Sequence, residues 1–81
     1  MQIKDIFSKY RFPQNKLKDL TIVFIHRGAP QNKKTISAEN IKVGRDHFEY
    51  FDRVERTYIP FHRILEIQDK GKTIYKKAKN P

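Results

Sequence analysis

The chain of 81 residues carries 18 Lys or Arg side chains, 9 Asp or Glu side chains and no Cys. This length is enough for one compact core, so we expect a single domain over residues 1–81. The absence of Cys excludes disulfides, thiolate chemistry and Cys-based zinc sites. No apolar run approaches the roughly 18 residues of a membrane-spanning helix, and we expect a cytoplasmic protein without a membrane partner.

Positive charge is concentrated toward both ends of the sequence. The net charge is +9. Residues 1–34 contain eight basic and two acidic side chains, residues 35–69 contain five and seven, and residues 70–81 contain five and none. If the two ends lie together in the fold, they form a positive face that attracts a polyanion. We therefore favour a nucleic acid partner over a surface that is merely soluble and rich in Lys.

The first predicted elements are a helix and a buried strand. The apolar residues Ile3, Ile6, Phe7 and Tyr10 have helical spacing, and Pro13 is expected to end the helix. The next apolar run, residues 20–25, is rich in β-branched residues, which is typical of a strand covered on both faces. We expect this run to be the central strand.

Turn-forming residues divide the middle of the chain. Gly28, Pro30 and Asn32 indicate an exposed loop that extends through Lys34. Ser37 is expected to cap one helical turn, unless the segment after it is a bent strand.

Two hairpins are predicted in the second half of the chain. The first joins residues 47–51 and 54–61 around Asp52 and Arg53, and the second joins residues 64–67 and 73–75 around a turn at 69–72. The tail from Lys76 is expected to fray. One helix followed by about five short strands predicts an α+β domain, with the N-terminal helix packed on a curved antiparallel sheet or a small open barrel.

A His-Arg dipeptide occurs twice, as His26-Arg27 and as His62-Arg63, and each copy adjoins an apolar stretch. Arg presents a fixed fork of donors that matches phosphate oxygens, and His can donate to or exchange a proton with the same group. Gly28 permits backbone conformations that release Arg27 from the plane of the sheet. The two dipeptides in a basic chain therefore predict one phosphate site.

Side-chain alternation limits how the two dipeptides can converge. Neighbouring residues of a regular strand face opposite sides. If Leu65 and Ile67 face the core, His62 points outward and Arg63 lies on the rim of the core, so that one residue of each dipeptide could contact the ligand.

A purely structural role for the dipeptides is the alternative. In that case each His bonds a carbonyl group, and Arg27 or Arg63 pairs with Glu66 or Asp52 at the margin of the sheet.

Three segments resemble a small archaeal family described as the RNA cyclic-group end recognition domain. They are residues 26–30, residues 58–67 and residues 71–76, and the resemblance spans nearly the whole chain. It implies a domain that binds RNA with a terminal 2′,3′-cyclic phosphate, found alone in archaea and fused to RNA-processing enzymes elsewhere. The ligand-contacting residues that it implies are His26, Arg27, His62 and Arg63, with Tyr58 as a candidate aromatic contact.

The chemistry of such an RNA end is consistent with these residues. Arg27 and Arg63 would supply forks for the free phosphate oxygens, and an aromatic platform adds roughly 1–3 kcal/mol for each stacked base. Lys33 and Lys34, with Lys76 and Lys77, are candidates for contacts to upstream phosphates. The expected partners are single-stranded RNA 3′ ends, with an RNA-processing enzyme as a further candidate.

Two other function classes follow from the same residues. A phosphoesterase would use His26 and His62 as acid and base. It ranks second because no Asp or Glu has a spacing that would orient either histidine. A protein-interaction module with an exposed strand edge ranks third.

No cofactor or metal site is predicted, since the three histidines are widely separated, and His47 is assigned no role.

Overall fold

The computed structural model describes residues 2–12, 15–52 and 55–77, with residue 52 described by its backbone alone. Helix α1 spans Ile3–Arg11 and buries Ile6 and Phe7. Pro13, the predicted helix terminator, lies outside the described residues. No helix in the described segments has the length and apolar character that crossing a bilayer requires.

Seven strands occur in the described residues and form two antiparallel sheets. The larger sheet has the order β2-β1-β6-β7, and the smaller has the order β3-β4-β5. The strands are β1 (Leu20–Ile25), β2 (Lys33–Ser37), β3 (Lys42–Val43), β4 (His47–Asp52), β5 (Glu55–Pro60), β6 (Ile64–Asp69) and β7 (Lys72–Lys76). β1 is flanked by β2 and β6, which confirms that it is a central strand.

The core lies between the two sheets and is closed by the helix. Phe24 of β1 places its ring 5.6 Å from the rings of both Phe48 and Tyr50 of β4. On the helix side, the ring of Phe7 lies 6.5 Å from that of Phe48 and 5.8 Å from that of Phe61. The predicted class is confirmed: a helix packs on antiparallel sheets that do not close into a barrel.

Both predicted hairpins form. β4 pairs with β5, although Arg53 of the predicted turn lies outside the described residues. β6 pairs with β7 around Lys70 and Gly71, which have positive φ angles of 51° and 88°. Two positive φ angles are typical of the tight turn whose twist matches that of the flanking strands. The strand continues through Lys76, so fraying from Lys76 is wrong, while residues 78–81 lie outside the described residues.

The loop predicted through Lys34 ends earlier, because Lys33 and Lys34 belong to β2. They pair with Ile25 and Phe24 of β1. After β2 the chain forms a turn instead of a helical turn, in which the hydroxyl of Ser37 accepts a hydrogen bond from the amide of Glu39 at 3.2 Å. Pairing with the central strand therefore overrides the loop-forming composition of this segment.

A bulge in β6 changes which of its residues face the core. The pairing with β1 shifts between Val23, opposite Glu66, and Phe24, opposite Ile64. Leu65 is the extra residue, and Ile64 and Ile67 are fully buried while Leu65 is only partly buried. The prediction that Leu65 faces the core is therefore wrong, because strict alternation does not hold across a bulge.

Candidate functional site

The two His-Arg dipeptides lie beyond the same end of neighbouring strands. Phe24 of β1 pairs with Ile64 of β6 in antiparallel register. His26 follows Phe24 by two residues, and His62 precedes Ile64 by two residues. The antiparallel pairing thus brings together two dipeptides that are 36 positions apart in the sequence.

The outer two strands of the same sheet add lysines at this end. β2 begins with Lys33, which pairs with Ile25. β7 ends with Lys76, which pairs with Glu66, and Lys77 follows it. We call this region the basic end of the sheet, defined by Arg27, Lys33, His62, Arg63, Lys76 and Lys77. It combines charges from the two parts of the sequence that carry the excess of basic residues.

The first dipeptide lies in a tight loop between β1 and β2. The amide of His26 donates to the carbonyl oxygen of Asn32 at 2.9 Å. The amide of Asn32 donates to the carbonyl oxygen of Ala29 at 2.8 Å. Gly28 has a φ of 92°, and Gln31 and Asn32 have φ angles of 58° and 57°. Glycine adopts this left-handed backbone without a steric penalty, so Gly28 suits the turn immediately after Arg27.

The side chains of the first dipeptide differ in exposure. His26 is half-buried and its ring lies edge-on to that of Phe24 at 6.1 Å, whereas Arg27 is exposed. Residues 26–30 and 33–35 line an open depression of about 550 Å³, which we call the loop depression. Lys33 and Lys34 contribute to it, so a basic wall faces the loop.

The second dipeptide lies in a 3-10 turn, Phe61–Arg63, between β5 and β6. The turn is anchored by Phe61, whose amide donates to the carbonyl oxygen of Asp46 at 2.9 Å. His62 and Arg63 are both exposed, so the expectation that Arg63 lies on the rim of the core is wrong. Arg63 lies in the 3-10 turn and not in β6, so the side-chain alternation that the expectation assumed does not extend to it.

The two dipeptides contribute to separate depressions at the basic end. His62 lines a depression of about 460 Å³ together with the cationic side chains of Lys4, Arg45 and Lys77. His26 and Arg27 line the loop depression, and Arg63 lines neither. The basic end therefore offers two separate cationic depressions.

Neither arginine of the dipeptides forms an ion pair with a carboxylate of the described residues. Glu66 instead accepts hydrogen bonds from the hydroxyl of Thr73 and, at 3.0 Å, from the amide nitrogen of Gln68. These bonds, with a smaller contribution from nearby lysines, lower the pKa of Glu66. The alternative that Arg27 or Arg63 pairs with Glu66 is not seen, and the side chain of Asp52 lies outside the described residues.

Tyr58 lies on the smaller sheet, away from the two depressions described above. Its side chain is exposed and stacks on the imidazole ring of His47, with 4.1 Å between ring centroids. His47 in turn lies 3.2 Å from the carboxylate of Asp46 and 3.6 Å from that of Glu49. The structure thus gives His47, which had no predicted role, a packing partner in Tyr58.

The sequence prediction missed a second cavity beside the loop depression. It is formed by β2, the turn after it and the end of β4, and it includes Tyr50 and Phe51. Residues 47–51 were predicted as the first strand of a hairpin, and no cavity was assigned to them. The alternation of side chains along β4 is the sequence signal that could have indicated this cavity, because it places Tyr50 inside and Phe51 outside.

Comparison with known proteins identifies the family of the chain. Residues 1–77 match the family described as the MJ1316 RNA cyclic group end recognition domain. The chain is 44% identical over 78 residues to the UPF0248 protein MJ1316 of Methanocaldococcus jannaschii, covering 93% of this chain and 92% of that protein. It is 49% identical over 68 residues to a UPF0248 protein of Methanococcus vannielii, covering 82% and 78%.

A more divergent relative, the UPF0248 protein TK0315 of Thermococcus kodakarensis, is 35% identical over 79 residues, covering 95% of this chain and 93% of that protein. No solved structure matches the chain. The family resemblance seen in the dipeptides and their flanks is confirmed. The chain belongs to the MJ1316 RNA cyclic group end recognition domain family.

Proposed function

We propose that the protein binds RNA and recognises an end that carries a 2′,3′-cyclic phosphate. The observation that carries the proposal is the position of the two His-Arg dipeptides beyond the same end of β1 and β6. Both arginines are exposed and lack an ion pair with a carboxylate of the described residues. The description of the family agrees with this chemistry.

The proposed end site is the loop depression, with Arg27 as the main phosphate ligand. A cyclic phosphate has two free oxygens that share one negative charge, and a guanidinium fork matches this arrangement. His26 donates to or exchanges a proton with the same group, while Gly28 allows the chain to turn beside it. Arg63 and His62 lie in the turn before β6, beyond the same end of the sheet, and add positive charge outside the loop depression.

The lysines of the basic end have a different role in the proposal. Lys33, Lys34, Lys76 and Lys77 neutralise upstream phosphates of a single-stranded 3′ end, which adds affinity without selecting the terminus. A partner consistent with this role is an RNA-processing enzyme that makes or consumes cyclic ends.

The test is a binding titration on one oligonucleotide that ends in a cyclic phosphate, an open phosphate or a hydroxyl. We expect the cyclic end to bind most tightly. Arg27→Ala and Arg63→Ala should each lower the affinity for the cyclic end about tenfold, the size expected for one charge-assisted fork, and should affect the hydroxyl end less. Equal losses for all three termini would contradict end recognition.

A matched control is Lys72→Ala, which removes one positive charge at the opposite end of the larger sheet, where Lys72 pairs with Asp69. It should leave the preference for the cyclic end unchanged. The RNA recovered after each titration also tests the phosphoesterase alternative, since an opened ring would show turnover. Nothing in the described geometry favours that alternative, because His26 and His62 line different depressions.

A further inference from the structure

The cavity beside the loop depression, which we call the aromatic cavity, has a volume of about 530 Å³. Lys34 lines both it and the loop depression, so the two lie side by side along the edge strand β2, and we call the two together the track. The end of the track at the loop is cationic. The other end is walled by the aromatic side chains of Tyr50 and Phe51, by Ser37 at the end of β2, and by Glu39 and Asn40 of the turn that follows.

Phe51 is the most exposed aromatic side chain in this cavity. Its side chain is 63% exposed, and the guanidinium carbon of Arg56 lies 5.4 Å from its ring centroid. Tyr50 is 7% exposed and has the Nζ atom of Lys34 at 5.4 Å from its ring centroid. An exposed ring with a cation on one side is the arrangement on which nucleobases stack in sequence-tolerant binding sites.

The length of the track matches a short piece of RNA. From Lys33 at the loop to Ser37 at the aromatic cavity, β2 rises about 13 Å at roughly 3.3 Å per residue. Stacked nucleotides rise about 3.4 Å each along one strand, so this distance is covered by at most about four nucleotides. A base within that distance of an end bound in the loop depression would reach Phe51.

We propose that the aromatic cavity binds the base of an upstream nucleotide, within about four positions of the bound RNA end, by stacking on Phe51. The proposal rests on the proposed function, because it takes the loop depression as the site of the terminal phosphate. Lys34, between the two sites, faces the connecting backbone phosphates. Hydrogen-bonding groups of Ser37 and Asn40 line the cavity where the edge of the stacked base would lie.

The experiment places a single abasic nucleotide at each successive position of a short single-stranded RNA with a cyclic phosphate end. For the wild-type protein, loss of one base within the four positions should weaken binding about tenfold, which corresponds to the lower half of the range measured for stacked bases. In Phe51→Ala, an abasic nucleotide at that position should weaken binding no more than one at a neighbouring position. A profile without a sensitive position in the wild type would overturn the proposal.

Phe12→Ala is the matched control. Phe12 is 66% exposed and has the guanidinium carbon of Arg11 at 5.6 Å from its ring, so it resembles Phe51 in exposure and in its cation partner. It does not line the aromatic cavity. Phe12→Ala should keep the wild-type profile of abasic positions. If the sensitive position disappeared in both variants, loss of any exposed aromatic ring would be enough to remove it, and this result would overturn the assignment to Phe51.

Repeating the scan with a hydroxyl-ended RNA separates this proposal from the proposed function. A sensitive position that depends on Phe51, without any preference for the cyclic end, would keep the aromatic cavity as a base site and reject end recognition. A preference for the cyclic end without such a position would keep end recognition and reject the aromatic cavity as a base site.

Discussion

The Nζ atom of Lys77 donates a hydrogen bond to the backbone carbonyl oxygen of His62 at 2.6 Å. The amide of Lys77 also donates to the carbonyl oxygen of Leu65 at 2.8 Å. The chain just after β7 is thereby fastened to the turn that carries the second His-Arg dipeptide. A residue outside the motif thus helps to fix the position of Arg63.

Lys77→Ala should weaken RNA binding several-fold more than Lys72→Ala, although each variant removes one positive charge. The difference arises because Lys77 lies at the basic end and also holds the turn of the second dipeptide, while Lys72 lies at the far end of β7. Binding titrations at a fixed salt concentration measure it. The free energy of unfolding should fall by about 1 kcal/mol, the usual net contribution of one hydrogen bond. Equal affinities of the two variants would contradict this role.

Lys33→Ala should weaken binding to cyclic-ended and hydroxyl-ended RNA by the same factor. We expect Lys33 to contact an upstream phosphate, and such contacts carry no information about the terminus. In a plot of log affinity against log salt concentration, the slope should become shallower by about 0.7, the value for one phosphate contact on a single strand. A change in the preference for the cyclic end would instead place Lys33 at the terminal phosphate.

Gly44→Ala should destabilise the protein by about 1 kcal/mol, the lower end of the overpacking range, because a β-carbon at position 44 overlaps the imidazole ring of His47, which can move. Accommodating it requires His47 to leave its stack on Tyr58 and its contacts with Asp46 and Glu49. Chemical denaturation measures the loss. In a His47→Ala background the same substitution should cost much less, and an undiminished cost there would contradict the steric explanation.

Tyr10→Phe should lower the free energy of unfolding by about 1 kcal/mol at neutral pH, since the tyrosine hydroxyl donates to the carboxylate of Asp69 at 2.7 Å. This hydrogen bond raises the pKa of Tyr10 above its ordinary value near 10. A group whose pKa is higher in the folded state than in the unfolded state stabilises the fold while it is protonated. This contribution is complete at pH values below the pKa of the unfolded state, and it is lost as the pH rises through the pKa of the folded state. The difference between wild type and variant should therefore shrink above about pH 10, and a difference that grows there would contradict the assignment.

Tyr50→Phe should raise the free energy of unfolding by about 1 kcal/mol. The hydroxyl of Tyr50 is buried and has no hydrogen-bond partner among the described residues, and a buried unsatisfied polar group costs about 1–3 kcal/mol. Thermal or chemical denaturation measures the change. Tyr75→Phe is a control, because the half-buried Tyr75 does not leave an unsatisfied buried hydroxyl. A destabilised Tyr50→Phe variant would show that the hydroxyl is satisfied in solution.

The sequence predicted the helix, the central strand and both hairpins because their signals are local. Helical spacing from Ile3 to Tyr10, the β-branched run of β1 and the glycine at position 71 each act within a few residues. The pairing of β2 was not predicted, since the composition around Asn32 favours a loop. Lys33 and Lys34 become part of a strand only because their backbone pairs with β1, which the local composition does not indicate.

The candidate site was predictable only in part. The repeated dipeptide singled out Arg27 and Arg63, and the antiparallel pairing of β1 with β6 places them beyond one end of the sheet. The directions of their side chains were not predictable, because Arg27 lies in a loop and Arg63 in a 3-10 turn, where strand alternation does not apply. Phe51 was missed for a similar reason: whether an aromatic residue next to a buried one lines a cavity depends on the turn that follows β2.

The loop that carries Arg27 is closed by backbone hydrogen bonds from His26, Ala29 and Asn32, and it contains two non-glycine residues in left-handed conformations. Left-handed backbone at such residues is unfavourable, so folding already bears the cost of shaping this segment. A ligand that meets a preformed loop loses less conformational entropy on association. The direction in which Arg27 is presented is therefore set before RNA arrives, and association does not have to supply that order.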